Sequence, residues 1–170
     1  MSGAWRFAQA PDMPFLYHLA VTTEPGWWRI TRFGAAPPVV LQRLQQCDAL
    51  AVVLAPSGDL VGAAALAEGS LVAATAVLDL QALPDPDAQS IVAALAPDIV
   101  RAGFEGAGLR RLYHDRFDGE PDLLGATAPH WTAEVRYPDH ARIGGVLRAR
   151  TTYALGADTF RSAFGHGAST

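Results

Sequence analysis

The stretch Leu71–Leu112, LVAATAVLDLQALPDPDAQSIVAALAPDIVRAGFEGAGLRRL, decides the fold. It holds an apolar run that ends at Pro84, a polar turn, a segment of helical spacing and a second strand-like run after Gly108. A strand, a helix and a return to a neighbouring parallel strand make the unit by which an α/β domain places a ligand at its strand ends. Asp87 or Ser90 can cap the helix, which runs toward Gly103–Gly108. Pro97 is expected to kink or split it, because proline removes a backbone donor and crowds the preceding turn.

Upstream, Ala49–Ala55 and the LVGAAALAE run after Pro56-Ser57-Gly58-Asp59 predict an antiparallel hairpin. Gly69-Ser70 then turns the chain into the Leu71–Leu83 strand. Trp5–Gln9 alternates large apolar and polar residues, as a half-buried strand does. Asp12 stands as N-cap of a short helix over Met13–Val21, where Pro14 is tolerated in the first turn. Val39–Cys47 is an amphipathic helix with Val40, Leu41 and Leu44 on one side. Downstream, Leu109–Phe117 is a strand, one helical turn falls near Leu123-Leu124, and HWTAEVRYPDHARIGGVLRARTTYAL forms two long strands joined around Asp139–Gly145. A Gly/Ser-containing tail follows Phe164, so residues 1–164 form a single domain and 165–170 a tail.

The chain's 170 residues suit one core built without disulfides. The lone Cys47 makes no internal pair and no structural zinc site, no apolar run is long enough to cross a bilayer, and the start MSGAWRFAQAPD lacks a basic flank before an apolar core. These features predict a cytoplasmic protein with no membrane partner. All thirteen basic residues are arginine, which excludes Schiff-base catalysis by lysine. The absence of lysine beside abundant Ala, Gly and Pro equally reflects a GC-rich codon bias. The arginines are scattered, so nucleic acid is not an expected partner. His130, His140 and His166 match no compact ligand set, and no metal is expected. Between the first two helices, TTEPGWWRITRFGAAPP places Trp27, Trp28 and Arg29 in a loop rich in Pro and Gly. It either lids the core or walls a substrate pocket.

The order strand, two helices, three-stranded meander, helix, strand, short helix and closing hairpin resembles the GNAT N-acetyltransferase superfamily. WRFAQAPDMPFLYHL is similar to the family's first strand and helix, TEPGWWRITRFGAAPPVVLQRL to its loop into the second helix, GAGLRRLYHD to the approach to its fifth strand, and WTAEVRYPDHARIGGVLRARTTYAL to its closing hairpin. The resemblance implies a mixed, mostly antiparallel sheet of six to seven strands flanked by about four helices, with parallel strands four and five splayed apart. It implies an acyltransferase that moves an acetyl or other acyl group from acetyl-CoA, another acyl-CoA or an acyl-carrier protein to the amine of a small molecule. The alternative is a GNAT-like scaffold that has lost catalysis and binds a ligand or a partner; the family likeness also leaves room for a homodimer.

By the same resemblance the donor lies along Leu80, Gln81, Leu83, Gln89 and Ser90, and the acceptor against Trp27, Trp28, Arg29 and Trp131. The candidate catalytic residues are Asp79, His114, Asp115 and Glu134. His114 has the titration range of a base, yet a His-Asp pair at a strand end serves equally to anchor a loop. In a regular strand Tyr113 and His114 face opposite ways, so only one can face the cleft. Two departures from the family pattern stand out. The turn that should be glycine-rich and hold a pyrophosphate is LPDPDAQS over 83–90, with two prolines and with Asp85 and Asp87 where an anion should settle. Each exposed like-charge contact there opposes binding by ~1 kcal/mol. The Gly119–Pro129 region also lacks the tyrosine that family members use as an acid.

Overall fold

The computed structural model describes residues 3–23 and 36–165. In chain order its elements are β1 (Ala4–Phe7), α1 (Met13–Thr22), α2 (Pro37–Gln45), β2 (Ala49–Leu54), β3 (Leu60–Ser70), β4 (Thr75–Ala82), α3 (Pro86–Gly106), β5 (Arg111–Phe117), β6 (Thr132–Ile143), β7 (Val146–Gly156) and α4 (Ala157–Phe164), with 3-10 turns at Ala10–Asp12 and Gly125–His130. The strands form one seven-stranded sheet in the order β1-β2-β3-β4-β5-β7-β6. Every neighbouring pair is antiparallel except β4 with β5. This is the mixed sheet that the sequence predicts.

Alternation along the strands sends apolar residues to both faces, so each face needs its own helical cover. On one face, Ala76, Leu78, Leu80 and Ala82 of β4 pack with Val92, Leu95, Ala96, Ile99 and Val100 of α3 and with Phe160 of α4. On the other, Val52 and Ala63 pack with Leu16 and Leu19 of α1 and with Val40 and Leu44 of α2. Leu41, expected on that stripe, is instead exposed; only the i, i+4 pair Val40 and Leu44 turns inward on so short a helix.

Four other expectations are corrected. β4 starts at Thr75, and Leu71–Ala74 is the turn from β3. That turn leaves Leu71 and Val72 in solvent. Asp12 is the N-cap residue of α1 but its side chain makes no capping bond to that helix; its carboxylate takes both guanidinium nitrogens of Arg6 at 2.6 and 2.8 Å and the Gln9 amide at 2.7 Å. The Arg6 hydrogen bonds hold this carboxyl below its usual range. The segment after β7 is the helix α4, which seats Ala157 and Phe160 in the core.

The last correction concerns Pro97, which does not split α3. Proline at 97 withdraws the amide that would bond the Ala93 carbonyl four residues back. Gly125, at φ +52°, lies against that same carbonyl, so close that a Cβ there would stand 1.9 Å from the Ala93 oxygen. The Gly125–His130 turn thus docks where the helix ladder is interrupted. Gly125→Ala should lower the unfolding free energy by about 3 kcal/mol. Gly58→Ala, at φ +92° but with open space around it, should cost only about 1 kcal/mol; urea midpoints measure both.

Candidate functional site

β4 and β5 pair over three residues, Thr75 with Arg111, Ala76 with Leu112 and Val77 with Tyr113, and then part. β4 continues to Ala82 and β5 to Phe117 with no residue in register between them. Within a strand the N–H and C=O of one residue point to the same side. Leu83 N–H continues the bonding to β3 through the Val61 carbonyl at 2.9 Å, so the odd-numbered residues of β4 bond to β3. The backbone groups of Leu78 and Leu80 therefore face the wedge.

His114 occupies the first position beyond the last registered pair. Its Nδ1–H donates to the Leu78 carbonyl at 3.0 Å, a bond that a carbonyl can only accept. The neutral ring accordingly carries its lone pair on Nε2. Burial pushes the imidazole below its ordinary value, and the Leu78 bond works in the opposite sense. The indole of Trp131 meets it edge-on, with centroids 5.9 Å apart. Trp131 is itself in the α3-side core and donates to Thr127 Oγ1 at 3.1 Å, so the structure does not bring it to the acceptor side.

The other sequence candidates are dispersed. Asp115 accepts from Thr152 Oγ1 at 2.6 Å and pairs with Arg150 at 3.5 Å. Asp79 is buried on the opposite face from His114, close enough to Cys47 that its charge, after burial, helps to push that thiol up to about 11. Glu134 is ion-paired with Arg111 on β6, two strands from β5, and lies outside the wedge. Trp27, Trp28 and Arg29 lie outside the described residues. Among the described residues, no group of three or more His, Cys, Asp and Glu side chains is arranged to hold a metal ion.

A cavity of about 280 Å³ opens at the mouth of the wedge. Val21–Thr23 at the end of α1, Gln81 on β4, Gln89 on α3, and Glu120 and Leu123 beyond β5 line it. Gln81 is only 6% exposed, and its side-chain amide has no hydrogen-bond partner among the described residues. The side chain lines the cavity, where its amide can meet water or a ligand. Glu120 accepts the Phe117 amide through Oε2 at 2.8 Å and is the one carboxylate among the described residues of the lining. The sequence did not single out Thr22, Thr23, Glu120 or Leu123, because only the turn after β5 brings Glu120 opposite Gln81.

The start of α3 does not suit a diphosphate. Asp85 is the N-cap, its Oδ1 accepting the Ala88 amide at 2.9 Å, and its carbonyl takes the Gln89 amide at 3.1 Å. Pro86, the first helical residue, has no amide to offer. The chain's own carboxylate thus sits where an anion would be held, and among the described residues the cavity lining contains no cation. Of the residues expected to hold a donor, Gln81 and Gln89 line the cavity. Leu80 buries its side chain in the core and presents only backbone to the wedge. Leu83 is half-buried against both cores, and Ser90 is exposed on α3.

A seven-stranded mixed sheet that parts between its fourth and fifth strands, with helices on both faces, is the fold of the GNAT N-acetyltransferases. A mutant of spermidine N-acetyltransferase from Vibrio cholerae superposes with TM-score 0.76 at 13% identity, covering 94% of this chain and 96% of that one. A spermidine/spermine N-acetyltransferase from the same organism gives 0.75 at 12%, with 96% and 97% covered. A protein provisionally assigned as a phosphinothricin N-acetyltransferase gives 0.72 at 15%, with 91% and 98% covered. No protein-family model and no curated protein sequence matches the chain.

Two outcomes are expected. Because folding lowers the proton affinity of His114, the unfolded chain binds protons more readily below its ordinary value. Its contribution is complete above about pH 6.5 and is lost as pH falls through and below that value. The drop in denaturant midpoint from about pH 7 to about pH 5 should therefore be smaller in His114→Gln than in the parent chain. Second, Asp85→Ser keeps a capping oxygen but removes the charge. It should tighten coenzyme A binding by about tenfold in calorimetric titration.

Proposed function

We propose that the chain is an N-acyltransferase that moves an acyl group from a pantetheine thioester to the amine of a small molecule. The donor is delivered without a diphosphate seated on α3, as on the arm of an acyl-carrier protein. The reading rests on the Gln81 side chain, which lines the mouth of the parted strands and makes no hydrogen bond to the described residues. Its C=O and NH₂ complement an amide of the pantetheine arm, and the Leu80 backbone groups beside it can extend strand-like pairing to the same arm.

The remaining residues divide the chemistry. Glu120 offers the incoming ammonium a counter-charge and takes its proton. Held at the mouth, the amine nitrogen adds to the thioester carbon, an N–C bond forms, and the C–S bond breaks. The proton first taken from the ammonium passes to water, and the adduct's second N–H proton passes through Glu120 to the departing thiolate, so the products are the amide, the thiol and one released proton. His114, fixed on Leu78, forms the floor of the wedge and sets how deeply the arm enters.

A second reading, a GNAT-like scaffold that binds without transferring, is favoured by the Asp85 cap and by the engagement of His114 and Asp115 in structural bonds. Thermal shift and thiol release separate the two, with acyl-pantetheine, acyl-carrier protein and acetyl-CoA offered against a panel of diamines, polyamines and amino acids. Acyl transfer predicts thiol release with the first two donors and little with acetyl-CoA. It also predicts a loss of about tenfold or more in kcat/KM for Gln81→Leu and Glu120→Gln. Binding with no thiol release from any donor would leave only the scaffold.

A further inference from the structure

The β6–β7 hairpin closes at Gly144-Gly145, both at positive φ, +56° and +81°, as a tight two-residue turn demands. Residues opposite one another in a ladder share a face of the sheet. The register therefore puts Val135 with Thr152, Tyr137 with Arg150, Ala141 with Arg148 and Ile143 with Val146 on one face. Through Thr152 with Asp115 and Arg150 with Phe117 this is the β5 face opposite His114, and through Val77 with Tyr113 it is the face that carries Gln81. α1 and α2 cover that face over β2 and β3. Over the hairpin, Val146, Val135 and Tyr137 stay exposed, at 53%, 43% and 40%.

Two arginines stand among these side chains. Arg150 lies over the Tyr137 ring, 4.6 Å from its centroid, and pairs with Asp115 at 3.5 Å. Arg148 donates to the Asp118 carbonyl at 3.2 Å and has no ion pair among the described residues. The acids beside it are already engaged, Asp118 by Arg136 at 2.7 Å and Glu134 by Arg111. From Thr132 to Gly156 the hairpin carries four arginines against two acids, in a chain of net charge −4. The patch reaches the mouth of the wedge. The Arg148 guanidinium lies against Gly119, where a Cβ would stand 2.6 Å from Nη1, and Glu120, the next residue, lines the cavity.

We propose that this face of the hairpin docks the acidic protein that carries the donor arm, an inference that rests on the acyl-transfer reading above. A pantetheine arm joins its carrier through a phosphodiester, so the base of the arm is anionic like the carrier surface around it. At the start of α3, Asp85 occupies the anion position and Asp87 adds a second negative charge, which opposes an approach from that side. On the hairpin side Arg148 meets the phosphodiester, and Val135, Tyr137 and Val146 receive apolar side chains of the carrier. Apolar and tyrosine side chains set among arginines have the composition of a protein interface, and opposite charge steers the encounter. A carrier docked there passes its arm over Gly119 and Glu120 into the cavity.

Calorimetric titration of the full chain with a purified acidic holo-acyl-carrier protein should show binding that weakens by about tenfold or more in V135S/V146S and in Arg148→Glu. It should also weaken as salt rises from about 0.05 to about 0.3 M. The opposite face of the same hairpin supplies the control: Leu147 and Arg142 are paired in register there, and L147S/R142E should bind as the parent does. V135S/V146S should keep the parent's thermal midpoint, because both side chains are already exposed. It should also turn over acyl-pantetheine, which brings no protein to dock, at the parent's rate. No binding of the carrier would overturn the proposal. So would a loss in L147S/R142E equal to that in V135S/V146S, self-association through this face in place of carrier binding, or binding to phosphatidylglycerol vesicles but not to the carrier. The acyl-transfer reading fails separately, on an absence of thiol release from acyl-pantetheine; carrier binding that V135S/V146S abolishes would uphold the docking face even then.

Discussion

Everything in this molecule that bears on function follows from the place where β4 and β5 stop sharing a ladder. Backbone N–H and C=O groups are obligatory hydrogen-bonding groups, and a strand that loses its neighbour must find other partners for them. The Leu78 carbonyl finds the His114 imidazole. Leu80 beyond it has no β5 residue in register. One side chain thus marks where the sheet ends and a binding site begins. Burial lowers the proton affinity of that imidazole, and the Trp131 indole meets it edge-on.

The two walls of the wedge are secured by unlike means. On the β4 side, α3 is held by a continuous apolar stripe, and the interruption at Pro97 is met by the bare Cα of Gly125. On the β5 side the bonds are polar: Thr152 and Arg150 on Asp115, Arg116 on Asp122, and Glu120 on the Phe117 amide. An apolar wall tolerates little displacement because close packing resists voids. The polar wall can exchange partners with water. If the mouth adjusts to a ligand, the β5 side has the freedom to do so.

The electrostatics of the mouth follow from the start of α3. Helix N-termini attract anions, and α3 supplies its own in Asp85. With Glu120 in the cavity lining and no cation among its described residues, these groups favour positive or neutral ligands over phosphates. The charge distribution, rather than the shape of the cleft, therefore sets which ligands the mouth suits.

The strand and helix order was legible in the residues from Ala49 to Phe117, where alternation, turn chemistry and helical spacing agree. So were the departures at Asp85 and Pro86, because missing amides and like charges are properties of residue type. Less was legible where a residue's role depends on its neighbours in space. Pro97 read as a break, but the Gly125 turn meets the carbonyl it frees. Leu71 and Val72 read as strand, but β4 begins where its pairing with Arg111 begins. Asp115 and Glu134 read as acids available for catalysis, but Thr152, Arg150 and Arg111 engage them. Sequence alone determined the architecture and the loss of the anion site, since local propensity and charge are written residue by residue. Which side chains line the mouth together, above all Gln81 and Glu120, only the tertiary structure decided, because that depends on groups far apart in the chain.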